Sequence, residues 1–117
     1  MLGRTGEDVA EAHLRDAGIV VLARNWRPSG GEIRGELDLV GRDGSTLVVC
    51  EVKARRSEDV ESALGAVTLR KQVKLRALAR SFLQETGVRP RAIRFDVVAV
   101  RWGERGGPEV VHLEGAF

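Results

Sequence analysis

Residues 36–53, Glu36-Leu37-Asp38-Leu39-Val40-Gly41-Arg42-Asp43-Gly44-Ser45-Thr46-Leu47-Val48-Val49-Cys50-Glu51-Val52-Lys53, restrict the fold more than any other stretch. Acids and leucines alternate with period two, which is the pattern of a half-buried strand, and the Leu/Val/Cys run after them reads as a buried strand. Asp-Gly between two such runs predicts a two-residue hairpin turn at Asp43-Gly44. Arg42 then pairs with Ser45, so that paired positions sum to 87, Asp38 faces Val49 and Glu36 faces Glu51. Cross-strand partners share a face. Glu36, Asp38, Glu51 and Lys53 therefore project from one side, with Asp38 and Glu51 as diagonal neighbours, while Leu37, Leu39, Val48, Cys50 and Val52 form a core face.

Three carboxylates on one patch repel one another, so one of them holds a proton or a cation sits among them. Two readings follow. A divalent ion completes the charge that Lys53 begins, or Lys53 and Arg55 pair with Glu36 and Glu51 on a solvated face. The chain has one cysteine, so neither a disulfide nor a Cys-based zinc site is expected. His13 and His112 lie far apart in sequence without ligand spacing, which argues against transition-metal chemistry. A metal held by carboxylates would be Mg²⁺ or Mn²⁺.

The 117 residues predict one domain, residues 1–117, with a modest core. No apolar run approaches the roughly 18–20 residues of a membrane span, and the N-terminus lacks the layout of a secretion signal. A cytoplasmic protein with no membrane partner is the expectation. Net charge is +2 but uneven: residues 70–94 carry eight Lys and Arg against Glu85, whereas residues 1–18 are acidic. A basic face for a polyanion accounts for this, as does a solvated, arginine-rich helix.

Helical spacing of Val9, Ala10, Leu14 and Ala17 predicts a helix over 4–17, with Thr5 as N-cap and Gly18 as the stop. Ile19 to Leu22, extending to Asn25, is a strand. Trp26 closes the core edge or stacks on a base, and Pro28 to Gly35 is a loop. After Lys53, residues 54–61 read as a charged loop. Leu75, Leu78, Ala79, Phe82 and Leu83 mark one face of a helix from Ala63 or Val67 to Glu85. Cations in its first turns oppose the helix dipole unless an anion docks there. Arg94 to Val100 is a central strand and Glu109 to Leu113 an edge strand. The order α-β-β-β-α-β-β predicts an α/β fold, a mixed sheet flanked by helices.

A Glu on the first helix, an Asp on one strand and Glu-x-Lys ending the next, here Glu7, Asp38, Glu51 and Lys53, resemble the PD-(D/E)xK nuclease superfamily. The thirteen-residue step from Asp38 to Glu51 is similar to its archaeal Holliday-junction resolvase branch. A closer resemblance is to the YraN-like family of predicted endonucleases. It is carried by Gly6-Glu7, Arg24-Asn25-Trp26-Arg27, Gly35 to Val40, Glu51 to Arg55, Ala66-Val67-Thr68, Lys71-Gln72 with Lys74-Leu75, and Arg94 to Val98. Leu37 stands where the superfamily often has a proline.

The resemblance implies a restriction-endonuclease-like αβββαβ core and Mg²⁺- or Mn²⁺-dependent hydrolysis of phosphodiester bonds. The substrate class it implies is DNA ahead of RNA, including branched or repair and recombination intermediates. Asp38 and Glu51 would be metal ligands, with the Val52 carbonyl as a third, and Glu7 would act through water or a second ion. Lys53 would place or activate the attacking water, and Lys71 and Gln72 would touch the phosphate. Arg55, Lys74 and Arg76 would contact the nucleic-acid backbone, and a homodimer would cut two strands symmetrically. Glu36 shares the acidic face without an assigned role. The alternatives are a non-cutting nucleic-acid-binding module of the same fold and a partner-binding domain whose acids pair with arginines.

Overall fold

The buried runs of this chain pair into a single sheet whose two central strands are parallel, a pairing that requires a crossover element between them. The computed structural model describes residues 5–56, 65, 67–103 and 106–117, without the side chains of Arg55 and Arg56. In order these form α1 (Gly6–Asp16), β1 (Val20–Trp26), β2 (Leu37–Asp43), β3 (Thr46–Arg56), α2 (Leu69–Thr86), β4 (Ala92–Trp102) and β5 (Glu109–Leu113). The sheet order is β1-β2-β3-β4-β5. All neighbours are antiparallel except β3 and β4, which α2 connects. The expected α-β-β-β-α-β-β order and mixed sheet are what the structure shows.

Both faces of the sheet are covered, so both faces of the central strands are core. Val9, Ala10 and Leu14 of α1 pack on Leu39, Cys50, Val98 and Val100. Leu75, Leu78, Ala79 and Phe82 of α2 pack on Val40, Leu47, Val49, Phe95 and Val97. The face of β3 that carries Glu51 is thus apolar further in, at Val49. Trp26 meets the α2 cluster, its ring 5.2 Å from Phe82 in an edge-to-face contact, as the core reading of that residue requires. Cys50 is buried, and burial pushes its thiol pKa up.

Helix ends follow local chemistry. Thr5 and Asp8 form a capping box at α1, and Thr68 accepts the Lys71 N–H at 3.2 Å at the start of α2. That cap sets the first residue of α2 at Leu69, two residues after the start expected at Val67, and the alternative start at Ala63 lies outside the described residues. β3 runs on through Arg56 because β4 pairs with it as far as Arg56↔Trp102. The loop expected from Ala54 therefore does not begin there, and its remainder, 57–61, lies outside the described residues. No helix among the described residues is long and apolar enough to cross a membrane.

The hairpin register differs from expectation. Asp43 pairs with Thr46 and Leu39 with Cys50, so paired positions sum to 89. The turn is Gly44-Ser45, with Gly44 at φ 60 and no positive φ at Ser45. Glycine in the first central position is the type II′ arrangement, which outweighs the Asp-Gly signal for a type I′ turn. The change is an even one, which by itself would keep the faces, but alternation fails at Asp38. Leu37 packs in the α2 cluster and Leu39 in the α1 cluster, so these two leucines do not share the core face expected of them. Glu51 and Lys53, two apart on β3, do share a face.

Candidate functional site

β2 and β3 part company where the acids begin. Their ladder ends at Leu39↔Cys50, although β2 extends to Leu37 and β3 to Arg56. In the opening, Asp38 Oδ2 accepts the Val52 N–H at 2.9 Å, occupying a donor that a longer ladder would have used. Continued by one step, the register sets Asp38 opposite Glu51, closer than the diagonal arrangement expected from the sequence.

That juxtaposition is electrostatically costly. Glu51 is 5 % exposed, and its Oε2 has no hydrogen-bond partner among the described residues. Burial raises the pKa of Asp38 to about 7. Glu51 adds to the rise by accepting from the protonated form and repelling the charged one, while the Val52 N–H and Lys71 oppose it. Lys71 reaches in from the first turn of α2, its Nζ 3.5 Å from Glu51 Oε2. The cations that oppose the dipole near the helix N-terminus thus include one aimed at a buried carboxylate.

Glu7 and Glu36 complete the acidic site. One carboxylate oxygen from each of Glu7, Glu36 and Asp38 lies within 4.8 Å of the others. Glu51 stands beside Asp38 and outside this trio. α1 delivers Glu7 because Gly6 packs on β3: a Cβ at Gly6 would meet Ala54 Cβ at 2.6 Å. Gly6→Ala is therefore expected to push the start of α1 off the strand and to lower stability by about 1–3 kcal/mol, read as a lower urea midpoint.

Two guanidinium groups compensate the trio. Arg24 lies 2.6 Å from Asp8 and 3.6 Å from both Glu7 and Glu11. The Thr5 N–H and Arg24 hold the Asp8 pKa down at about 2. Arg27 Nη2 lies 2.9 Å from Glu36 Oε2. Among the described residues Glu36 thus pairs with Arg27 and Glu51 with Lys71; of the two cations in the ion-pair reading, Lys53 and Arg55, the side chain of Arg55 lies outside the described ones.

The other candidate residues are spread out. Lys53 is half-buried, two positions beyond Glu51 on the same face of β3. Val52 contributes its N–H to Asp38. Gln72 donates to the Val67 carbonyl at 3.2 Å, closing the start of its own helix. Lys74 is exposed and runs its stem past Gly35, just before Glu36. Arg76 lies 4.7 Å over the Phe95 ring and 5.7 Å over Phe117, at the C-terminal end of the chain and not with the acids. The Arg55 side chain lies outside the described ones.

The fold also joins the two histidines. His13 Nε2 and His112 Nδ1 are 3.3 Å apart, despite 99 residues of sequence between them. Lack of sequence spacing was no guide, because α1 lies across β4 and β5. His112 Nε2 is 2.7 Å from Asp96 Oδ2, which is fully buried. Burial disfavours the charge on Asp96, but donors from His112, Arg94 and the Gly115 N–H outweigh it and leave the pKa lowered. A charged Asp96 makes His112 Nε2 the donor in their contact. Arg94 and Asp96 thus tie β4 to β5 and the C-terminal turn.

Comparison with known proteins assigns the chain to a family. Residues 6–100 match the uncharacterised protein family UPF0102. A UPF0102 protein of Kineococcus radiotolerans is 50% identical over 115 residues, spanning 97% of this chain and 91% of the relative. One from Acidothermus cellulolyticus is 44% identical over 126 residues, covering 99% and 92%. One from Streptomyces coelicolor is 45% identical over 115 residues, covering 97% and 86%. With most of its length matched by the family and by full-length relatives, the chain belongs to UPF0102.

Proposed function

We propose that this chain is a Mg²⁺- or Mn²⁺-dependent nuclease of the PD-(D/E)xK kind, hydrolysing phosphodiester bonds in nucleic acid, with DNA ahead of RNA. The observation that carries this reading is the carboxylate trio Glu7, Glu36 and Asp38, within 4.8 Å, beside a buried Glu51 whose Oε2 has no hydrogen-bond partner among the described residues and meets only the Lys71 ammonium, at 3.5 Å. A buried acid so weakly compensated and three acids at a strand divergence are poor packing, but their hard oxygen donors suit a small divalent cation.

When bound, such a cation polarises a phosphate and makes a water more acidic. The chain's own residues have separate tasks. Asp38, with Glu7 and Glu36 or Glu51, supplies the oxygens that hold the cation. Val52 fixes the Asp38 carboxylate through its N–H. Lys53 orients the attacking water and offsets charge on the phosphate. Lys71, now on Glu51, and Lys74, at the mouth beside Gly35, contact the nucleic-acid backbone.

The test is cleavage of labelled branched, nicked, single-stranded and duplex DNA, and of RNA, with Mn²⁺. Cleavage by the wild type that is lost in Glu51→Gln supports the reading. Binding without cleavage of any substrate would point to the non-cutting module. Lys71→Ala with Lys74→Ala is expected to flatten the salt dependence of DNA binding by about 0.9 in log–log slope per lost phosphate contact. The slope counts phosphates and is less affected by a change in fold stability. An unchanged slope would remove these two lysines from the interface.

A further inference from the structure

Asn25 is the single non-glycine residue with a positive φ, 52°, among the described residues. A left-handed residue inside a strand is disfavoured, although Asn tolerates it better than most. It sits near the end of β1, between Arg24 in the strand and Arg27 just past it, and these two arginines take opposite ends of the acidic trio. Arg24 stands at Glu7 and Arg27 at Glu36. In an ordinary strand residues three apart point to opposite faces. The left-handed residue breaks that alternation: Ala23 and Trp26, three apart across it, both pack on the α2 cluster, and Arg24 and Arg27, likewise three apart, both reach the one acidic trio.

The two arginines are not equivalent. Arg24 is held by three acids of α1, including Asp8 in the capping box. Among the described residues Arg27 has one ion-pair partner, Glu36, and its side chain is 74% exposed. Its Nε and Nη2 both rest on the same oxygen, Glu36 Oε2, at 3.0 and 2.9 Å. A dication drawn to Glu36 would compete for that carboxylate and repel the guanidinium. Arg27 also borders an open hollow that it lines with Arg34 and Glu36, so there is room for it to turn outward.

We propose that Arg27 is an exchangeable counterion: it neutralises Glu36 while the trio holds no metal ion, and passes to a phosphate of the nucleic acid when the trio takes one up. Arg24 stays in place as the fixed counterion of α1. The planar fork of Arg27 suits a phosphate as well as a carboxylate, so the same group serves two anions in turn. Metal uptake and nucleic-acid binding are thereby linked, because each removes a competitor of the other. The proposal rests on the nuclease reading of the site.

The experiment uses the full chain. Mn²⁺ is titrated calorimetrically into wild type, Arg27→Ala, Arg27→Lys and Asp38→Asn. Binding of a labelled duplex DNA is then followed across salt concentrations, without a divalent cation and with Ca²⁺ as the loading ion. Arg27→Ala is expected to bind Mn²⁺ about two- to fivefold more tightly, the worth of an exposed ion pair. It should also bind DNA more weakly, with a salt slope shallower by about 0.9 in the loaded protein only. Arg27→Lys keeps the charge and should stay near wild type for Mn²⁺ while losing part of the DNA affinity. Unchanged or weaker Mn²⁺ binding in Arg27→Ala, or the same slope change without Ca²⁺, overturns the exchange. If wild type and Asp38→Asn alike take up no Mn²⁺, the nuclease reading itself fails; if only the Arg27 effects are missing, that reading stands and the exchange does not.

Discussion

Glu51→Gln is expected to lower Mn²⁺-dependent DNA cleavage by at least about 10²–10³-fold, the usual scale for losing one essential charged group at a reacting centre. The substitution preserves size and removes only charge. Its effect on the fold separates function from structure. If Glu51 were there to hold Lys71, neutralising it would break a partly buried ion pair and destabilise the protein. In this site Glu51 lies beside Asp38 and raises that residue's pKa, so removing its charge relieves a repulsion. The expected result is therefore lost cleavage with equal or greater thermal stability in the absence of metal. Lys53→Ala should match the loss of cleavage without disturbing metal uptake. Single-turnover rates and melting temperatures, measured on the same preparations, check both halves. Cleavage surviving in both variants would place the chemistry elsewhere.

Asp38→Asn is expected to remove one contribution to the pH dependence of stability and, with it, the response to metal. The Asp38 pKa rises from 3.8 to about 7 on folding, through burial first and Glu51 second. Between those values the folded state binds the proton more tightly than the unfolded one. Stability is then full below pH 3.8 and lost as pH rises through about 7. Metal-free wild type should accordingly become less stable from pH 5 to pH 8 relative to Asp38→Asn. The comparison matters because His13, whose pKa burial and His112 lower, contributes an opposite slope below its ordinary value of 6.5. That slope is common to both proteins and cancels in their difference. Asn retains an acceptor for the Val52 N–H, so the strand opening survives.

Millimolar Mn²⁺ should stabilise the wild type at pH 8, by about 2.7 kcal/mol at a hundred times Kd. The gain should shrink at pH 5, where protons compete for Asp38, and vanish in Asp38→Asn. Equal metal responses in the two proteins would remove Asp38 from the site. Differential scanning fluorimetry over pH, with and without Mn²⁺, measures all four conditions.

Much of the architecture was legible because it is written in local chemistry. Thr5 caps α1, Gly87 closes α2 in the left-handed conformation, and apolar periodicity marks both helices. The alternation around Asp38 and the apolar run to Cys50 named the two strands, and even spacing kept Glu51 and Lys53 on one face of β3, whereas alternation in β2 breaks between Leu37 and Leu39. The hairpin register was misplaced by one residue on each strand. Asp43-Gly44 and Gly44-Ser45 are both good turns, and sequence weights alone chose the wrong one. Lys71 was read as facing the site and does reach Glu51, whereas Arg76, similar in charge, lies on Phe95.

The sequence by itself determined which segments are helices and strands, their order, and the presence of acids and a lysine at the end of an apolar strand. Those properties depend on neighbours a few residues apart, through capping, turn chemistry and periodicity. Only the tertiary structure decided which charges meet. The opening of β2 from β3 admits Asp38 to the Val52 N–H, and the contact of Gly6 with Ala54 brings Glu7 across. The left-handed Asn25 accompanies the division of Arg24 and Arg27 between Glu7 and Glu36, and the packing of α1 over β5 joins His13 to His112. Pairings of this kind follow the path of the backbone over long separations, and charge interactions depend on distances that no spacing along the chain encodes.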